Sequence, residues 1–594
     1  MTEATQTAPA LSLDQSLALH YQVAMPQPES HLFEITLTVR GWRSPQIDLK
    51  MPVWTPGSYL VREYARHVQN FSAQAQQPLP WRKIGKNHWQ IDTQNTTDFT
   101  VTYRLYANEL TVRTNHLDST HGYFNGAATF FYIPGHEQTP LRLALILPRP
   151  HWRVATPLTP VPGLPYTYEA TDFDTLVDSP VEMGEHTQYD FEVLGKPHQF
   201  VVWGQGNYDA ATMIRDTEKI IEVEAKLFGG LPYSRYLFLL HLSSQGFGGL
   251  EHKDSCTLNY SRFTFRSPEK YNRFMQLVAH EFFHLWNIKR IRPKALEVFD
   301  YEQENYTPSL WFAEGTTSYY DLMIPLRAGI YGTTTFLREL SREVARYFNT
   351  PGRQVQPLAE SSFDAWIKLY RRDTYSDNNQ ISYYLKGEMV TLLLDLAIRA
   401  RHQNRRSMDD VLQHLWQRFG IPETGFSPDE LEDSIAAIAE CDLSDFFHRY
   451  LHTTEELPFD AYLEPFGLRL KTDDLSQSPP FTGLLLRPEH GQDVVKFVEH
   501  DSPAQRAGVD AGDEVLALDG MRVTTEQWGD RLRDYKPGDT VELAFFHQDE
   551  LRTGILTLAP PRPTHYQIVP LAQPTPAQQE NLRGWIGVLP SDTE

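Results

Sequence analysis

The sequence predicts a multidomain α+β protein. An N-terminal β-sandwich-like domain covers 1–184, a mainly helical domain 185–458, a small C-terminal β domain 459–561, and a tail 562–594. Three observations predict this division. Apolar residues alternate with period two near the N-terminus, recur with helical spacing through the middle, and form short strands between glycine turns after about Phe459.

In the first part, Phe33, Ile35, Leu37 and Val39 alternate with Glu34, Thr36, Thr38 and Arg40. Phe99, Val101, Tyr103 and Leu105 repeat the pattern, which puts one face of each strand on a core and one in water. Pro- and Gly-rich joins at 52–57, 78–80 and 148–150 separate the strands. The texture changes after about Gly184. Residues 211–228 place Ile214, Ile221, Ala225 and Phe228 on one helical side and end at Gly229-Gly230, a helix stop. The apolar run 236–242 predicts a short buried strand, and 268–451 reads as helices. Ser427-Pro428-Asp429-Glu430 has the form of a capping box with proline at the first helical position. Residues 464–561 are the right length for one small domain.

Composition narrows the function classes. The 594 residues carry a formal net charge of −22, a field that repels phosphate backbones and argues against a nucleic-acid partner. Apolar residues make up 41%, enough for buried cores. Two cysteines, Cys256 and Cys441, cannot build a disulfide framework or a Cys-rich zinc site, so any metal ligands must be His and carboxylate. No apolar stretch is long enough to predict a membrane span: 389–400 is broken by Thr391, Asp395 and Arg399. The first residues lack a basic start, and Asp14 interrupts the only apolar candidate, so no secretory signal is expected and the expected location is cytoplasmic.

His280-Glu281-Phe282-Phe283-His284 carries the chemistry. On a helix, four residues advance about 400° and rise about 6 Å, so the two imidazoles face the same way. That separation suits one zinc ion, and Glu281 beside them can take a proton from a water activated there without being a ligand. Chance predicts about 0.1 such motifs in a chain of this composition, so the setting must support it. Here it does: two His and a Glu among Phe, Val, Ala, Leu and Trp are costly to bury without a partner, and a metal supplies one. For the third ligand, Glu302 and Glu304 lie in polar, loop-like sequence. Glu314 is the only acidic residue in the apolar helical stretch 309–319, where a carboxylate needs a cation, so Glu314 is selected. His116 and His121, in a Thr/Asn/Gly-rich stretch, read as surface groups, and Cys256 as a buried thiol. Arg290 and Arg292 read as solvated or paired with local carboxylates.

These motifs resemble known zinc peptidases. The segment from Leu310 to Tyr319 is similar to the one carrying the third zinc ligand in aminopeptidase-N-like enzymes. Gly248-Gly249-Leu250-Glu251-His252 resembles their Gly-x-Met-Glu-Asn exopeptidase motif, and Tyr384-Leu385-Lys386-Gly387 their Tyr-Glu-Lys-Gly. The closer resemblance is to the glycyl aminopeptidase family, gluzincins with a PDZ domain after the catalytic domain. Met51-Pro52-Val53-Trp54-Thr55-Pro56-Gly57-Ser58-Tyr59, Leu176-Val177-Asp178-Ser179-Pro180 and Leu285-Trp286-Asn287-Ile288-Lys289-Arg290 carry it. It extends over roughly 20–560 and implies a thermolysin-like, mainly helical zinc-peptidase domain. It also implies that Tyr384 stabilises the transition state, a role chemically open to a phenol O–H. Glu251, after a glycine-rich turn, is then placed to pair with a substrate α-ammonium group, while Gly248 and Gly249 allow close approach of the substrate backbone. The sequence departs from the aminopeptidase-N pattern at Leu250 and His252. Leu for Met keeps an apolar filler, whereas His for Asn changes a hydrogen-bonding group.

Asp501 to Val509, a Gly turn at Gly512, a strand and the Asp519-Gly520 hairpin turn resemble the middle of a PDZ domain. Phe481 to Leu486 then stands as its carboxylate-binding loop and edge strand. Such a domain either takes a peptide by strand addition or only packs on the catalytic domain.

The sequence thus predicts an aminopeptidase with one Zn2+ on His280, His284 and Glu314, Glu281 and Tyr384 as catalytic groups, and peptides as substrates. The family resemblance implies a preference for N-terminal Gly or Ala. The competing readings are an endopeptidase whose PDZ domain presents longer chains, and a binding protein with an inert zinc fold.

Overall fold

The computed structural model describes residues 17–588. Residues 1–16, including Asp14 and most of the segment searched for a leader, lie outside them, as do 589–594 of the expected tail. Among the described residues no helix is long and apolar enough to cross a membrane.

The chain divides into two compact units. The first comprises Met1–Asn207, Tyr233–Phe263 and Asp300–Glu304. Its largest sheet has seven strands in the order Thr159–Pro160, Thr167–Ala170, Leu141–Ile146, Ala18–Ala24, Leu32–Arg40, Phe99–Tyr106 and Val68–Gln74. The two alternating segments are antiparallel neighbours, with Phe33 opposite Leu105, Ile35 opposite Tyr103 and Leu37 opposite Val101. All six side chains are buried, because period two sends every second residue to the same face. The N-terminal part is β-rich, as the alternation predicts.

This unit also holds a five-stranded sheet, in the order Thr187–Val193, Lys196–Trp203, Tyr236–Ser243, Ser255–Ser261 and Phe247–Glu251. Tyr236–Ser243 is central and paired in parallel on both sides. Its apolar run is therefore covered on both faces, as its lack of alternation predicts. Gly248 to Glu251 depart from expectation. They form an antiparallel edge strand rather than a turn, because each glycine keeps its place in the ladder, opposite Asn259 and Leu258.

The second unit comprises Tyr208–Pro232, Thr264–Phe299 and Asn305–Glu594. Helix α1 (Ala210–Phe228) starts at an Asp209 cap and stops where Gly229 adopts φ +81°. Helix α2 (Pro268–Phe283) is capped by Ser267 and has proline in its first turn. A π-helical turn, Trp311–Thr316, leads into α3 (Thr317–Arg327). Helix α4 (Thr333–Phe348) is followed by α5 (Tyr383–His402), whose side chains are buried almost along its length, and by α6 (Pro428–Ala439), which has the capping box read from Ser427 and Glu430.

The small β domain has Leu484–Glu489, Gln492–Val498, Glu514–Leu518, Thr540–His547 and Glu550–Thr557 in sheet order, around Val495, Val515, Leu518 and Leu543. Asp519 and Gly520 have φ of 48° and 73°, the two positive values a tight hairpin turn needs. Strand Tyr566–Pro570 pairs with Leu468–Thr472, and helix Pro576–Ile586 buries Trp585, whose indole N–H donates to the Tyr319 hydroxyl at 2.9 Å. The stretch read as a tail therefore packs into the helical core.

Candidate metal centre

Helix α2 ends at Phe283, with His284 as its still-helical cap residue. His280 and His284 accordingly project together, with ring centroids 4.6 Å apart and planes at 87°. Each ring is pinned by its Nδ1: His280 to Asp321 Oδ2 at 2.9 Å, and His284 to the Asn287 carbonyl at 2.7 Å. Both Nε2 atoms then turn to one carboxylate oxygen, Glu314 Oε2, at 3.6 and 3.2 Å.

Glu314 comes from the π-helical turn, whose wider winding is a frequent feature of functional sites. The stretch was expected to be an ordinary helix. Asn287 holds the turn in place, donating from Nδ2 to the carbonyls of Phe312 (3.1 Å) and Ala313 (3.2 Å). One residue thus orients His284 through its carbonyl and the Glu314 segment through its amide. Tyr384 lies in the first turn of α5, its ring stacked 6.3 Å from that of His280, with its hydroxyl 3.0 Å from the Tyr370 hydroxyl. Glu281 is 5% exposed, on the same helix and next in sequence to His280.

The electrostatics show a site that holds positive charge. Burial alone would raise the Glu314 carboxyl, but the His284 and His280 imidazoles overcome it and hold it down to about 2. Burial would likewise depress His280, yet hydrogen bonds to Asp321 and Glu314 raise it well above the usual imidazole range. Two imidazole nitrogens and a carboxylate oxygen, all within 4.8 Å of one another and backed by a second carboxylate, match zinc in donor type and convergence.

Among the expected substrate groups, Glu251, Gly248 and Gly249 belong to the first unit. Glu251 is 4% exposed at the end of its edge strand, and no hydrogen bond or ion pair satisfies its carboxylate among the described residues. Gly57 passes directly over it: a Cβ there would lie 2.5 and 2.7 Å from the two carboxylate oxygens. Gly249 accepts from Arg113 at 3.1 Å. The departure at His252 is explained locally. Its Nδ1 meets Asp178 Oδ1 at 3.2 Å, so the imidazole is tied to the Leu-Val-Asp-Ser-Pro segment. Arg290 donates to the Leu285 and Pro232 carbonyls, and Arg292 lies 3.8 Å from Glu423.

Sequence reasoning missed Asp321 and Asn287. Asp321 lies seven residues after Glu314, two turns along the same helical face, and that spacing was the available signal. Asn287 lies in the segment 285–290 that carries the family resemblance, but its residue type alone does not mark it as an orienting group.

The fold and this constellation define a peptidase of the HExxH class. Family descriptions match in chain order: the M61 peptidase N-terminal domain at 20–185, the M61 glycyl aminopeptidase at 273–390 and a PDZ domain at 480–558. The crystal structure of an aminopeptidase N family protein from Idiomarina loihiensis is 32% identical, covers 96% of this chain and all of its own, and superposes with a TM-score of 0.90. More distant likenesses include an M1 zinc metallopeptidase from Deinococcus radiodurans (14% identity, 75% of this chain and 96% of that one, TM-score 0.46). Yeast LTA4 hydrolase is similarly distant (12%, 76% and 71%, TM-score 0.45). No curated protein sequence matches the chain. The chain belongs to the M61 glycyl aminopeptidase family, a family of peptidases, and it carries a PDZ domain.

Proposed function

We propose that the protein is a zinc-dependent aminopeptidase that removes small N-terminal residues, Gly or Ala, from peptides. The observation that carries the metal reading is the convergence of His280 Nε2 and His284 Nε2 on Glu314 Oε2. One Zn2+ would be held by these three residues. Such an ion supplies Lewis-acid polarisation of the scissile carbonyl and acidifies a water beside it.

The remaining roles fall to the chain's own groups. The Glu281 carboxylate takes the proton of the attacking water and returns it to the leaving amine. The Tyr384 hydroxyl donates to the carbonyl oxygen as negative charge develops on it; burial raises its pKa well above the ordinary phenol value, so it stays a donor at neutral pH. Asp321 and Asn287 keep the imidazoles oriented. Glu251 binds the substrate α-ammonium group: a buried carboxylate lacking a partner is suited to a cation that arrives with the ligand. Edge strand Phe247–Glu251, with Gly248 and Gly249, offers backbone groups to an extended peptide. The small-residue preference comes from the family resemblance, and the PDZ domain is assigned peptides of unspecified sequence.

The test is a panel of glycyl, alanyl and larger aminoacyl amides, each free or N-acetylated, assayed with and without a chelator. The proposal expects turnover of the free glycyl and alanyl substrates only, abolished by the chelator and restored by Zn2+. Equal cleavage of N-acetylated peptides would establish an endopeptidase instead, and absence of chelator-sensitive cleavage would leave the inert binding protein.

A further inference from the structure

A second set of metal-ligating groups lies in the first unit, outside the site described above. Strands His116–Leu117 and His121–Phe124 form a hairpin in a four-stranded sheet with Val181–Gly184 and Arg153–Ala155. The turn between them is built by Asp118. Its Oδ1 accepts from the backbone N–H of Thr120 (2.7 Å) and His121 (3.0 Å) and from the Thr120 hydroxyl (2.7 Å). With Oδ1 engaged, Oδ2 is held 3.2 Å from His116 Nε2. One ligand atom each from His116, Asp118 and His121 lies within 4.8 Å of the others.

The sequence alone makes these histidines surface groups, and the structure corrects that. His121 is fully buried, and neither of its ring nitrogens has a hydrogen-bond partner. Its ring is stacked on Trp203 at 3.7 Å, with the His116 ring 4.9 Å away and the His241 ring 5.8 Å away. His116 Nδ1 and His241 Nδ1 are also buried without partners, as are both ring nitrogens of His186. Behind the hairpin, His241 Nε2 meets Glu182 Oε2 at 2.9 Å, with both residues 1% exposed.

An imidazole always presents at least one N–H donor, and a neutral one also presents an acceptor, so the buried rings of His121 and His186, with neither nitrogen bonded, are anomalous for simple packing. Imidazoles gathered around a fixed carboxylate are a donor set for a borderline divalent transition metal. The 3.2 Å between His116 Nε2 and Asp118 Oδ2 is close to the ligand–ligand edge of a tetrahedral site with bonds of about 2.0–2.1 Å.

We propose that His116, Asp118 and His121 form a second divalent transition-metal site, of zinc type, on the N-terminal hairpin. The side chains of His116 and Asp118 are 12% and 31% exposed, so the ion enters from solvent on that side. His121 closes the site from within, and the His241–Glu182 pair stands behind it.

The test counts metal on the full chain. Chelator-stripped protein is dialysed against Zn2+ alone, and bound zinc is measured by mass spectrometry. H116Q and D118N are the chosen variants because both residues sit at the solvent rim and leave the buried ring of His121 intact. Each is made in the wild-type chain and in an H280A/H284A background. H116Q is expected to bind one zinc fewer than its parent in both settings, and D118N to bind the hairpin zinc at least tenfold more weakly. The H280A/H284A chain should retain one equivalent, with Co2+ giving a d–d spectrum that H116Q abolishes. Equal zinc content in H116Q and its parent, or no zinc on the H280A/H284A chain, overturns the proposal. Neither count depends on the function assigned to the His280 site.

Discussion

Gly315 and Gly387 bring two backbones into contact. A Cβ on Gly315 would lie 2.5 Å from the Gly387 Cα, and a Cβ on Gly387 would lie 2.6 Å from the Trp311 carbonyl oxygen. The π-helical turn carrying Glu314 therefore sits directly against the first turns of α5, which carries Tyr384. The glycines of the Glu-Gly and Lys-Gly motifs are spacers, and they set how closely the third candidate ligand approaches the candidate oxyanion donor.

This contact makes Gly387→Ala a sensitive variant. The added methyl meets backbone, which cannot swing aside, so stability should fall by about 1–3 kcal/mol. Urea denaturation measures the loss, and turnover should fall further than stability accounts for because Glu314 and Tyr384 are pushed apart. A G387A protein with wild-type midpoint and turnover contradicts the spacer role.

Replacing Glu281 by Gln removes the proton acceptor while keeping the side chain's size. Bound zinc should be unchanged, and kcat should fall by about 10²-fold or more. Full activity in E281Q would falsify the mechanism.

Asp321 orients His280 from behind, so D321N should weaken zinc binding by about 10–100-fold. Competition with a chromophoric chelator reads this directly.

Tyr384→Phe deletes one hydroxyl at the site. If that hydroxyl stabilises developing charge, kcat should drop by about 10²-fold with KM nearly constant. A rise in KM with kcat unchanged would make Tyr384 a binding group instead.

His198 supplies a pH prediction away from the metal centre. It is 1% exposed, and burial pushes its pKa down to about 4 from an ordinary 6.5, only partly offset by its hydrogen bond to the Lys196 carbonyl. Between these values the unfolded chain binds more protons than the folded one, so stability rises with pH across that window and is lost as pH falls from about 6.5 to 4. The loss is at most about 3 kcal/mol. Urea midpoints at pH 7 and pH 4.5 should differ less in His198→Gln than in wild type.

Local pattern was enough for much of the molecule. Alternation at Phe33 and Phe99 named two strands that pair, since period two depends only on backbone geometry. Ser427, Pro428 and Glu430 named a helix start, because capping is settled within four residues. His280 and His284 were legible for the same reason: helical pitch alone brings them to one face. Glu314 was singled out by its chemical isolation, an acid in an apolar stretch, and the fold brings its carboxylate within 3.6 Å of both imidazoles.

What the tertiary structure alone decided depends on contacts between distant segments. Asn287 gained its role only when the π-helical turn packed against it, and Gly387 only when Gly315 arrived from 72 residues earlier. His121 carried no signal of burial, because Trp203 and His241, the rings that enclose it, lie far along the chain. The sequence by itself determined the element types, the order of the parts and the HExxH donor pair, all short-range consequences of backbone geometry and side-chain chemistry. Folding decided which groups stand behind those donors, how closely the helices approach, and where a second set of imidazoles is enclosed. Burial and distance belong to the packed chain, and no local pattern encodes them.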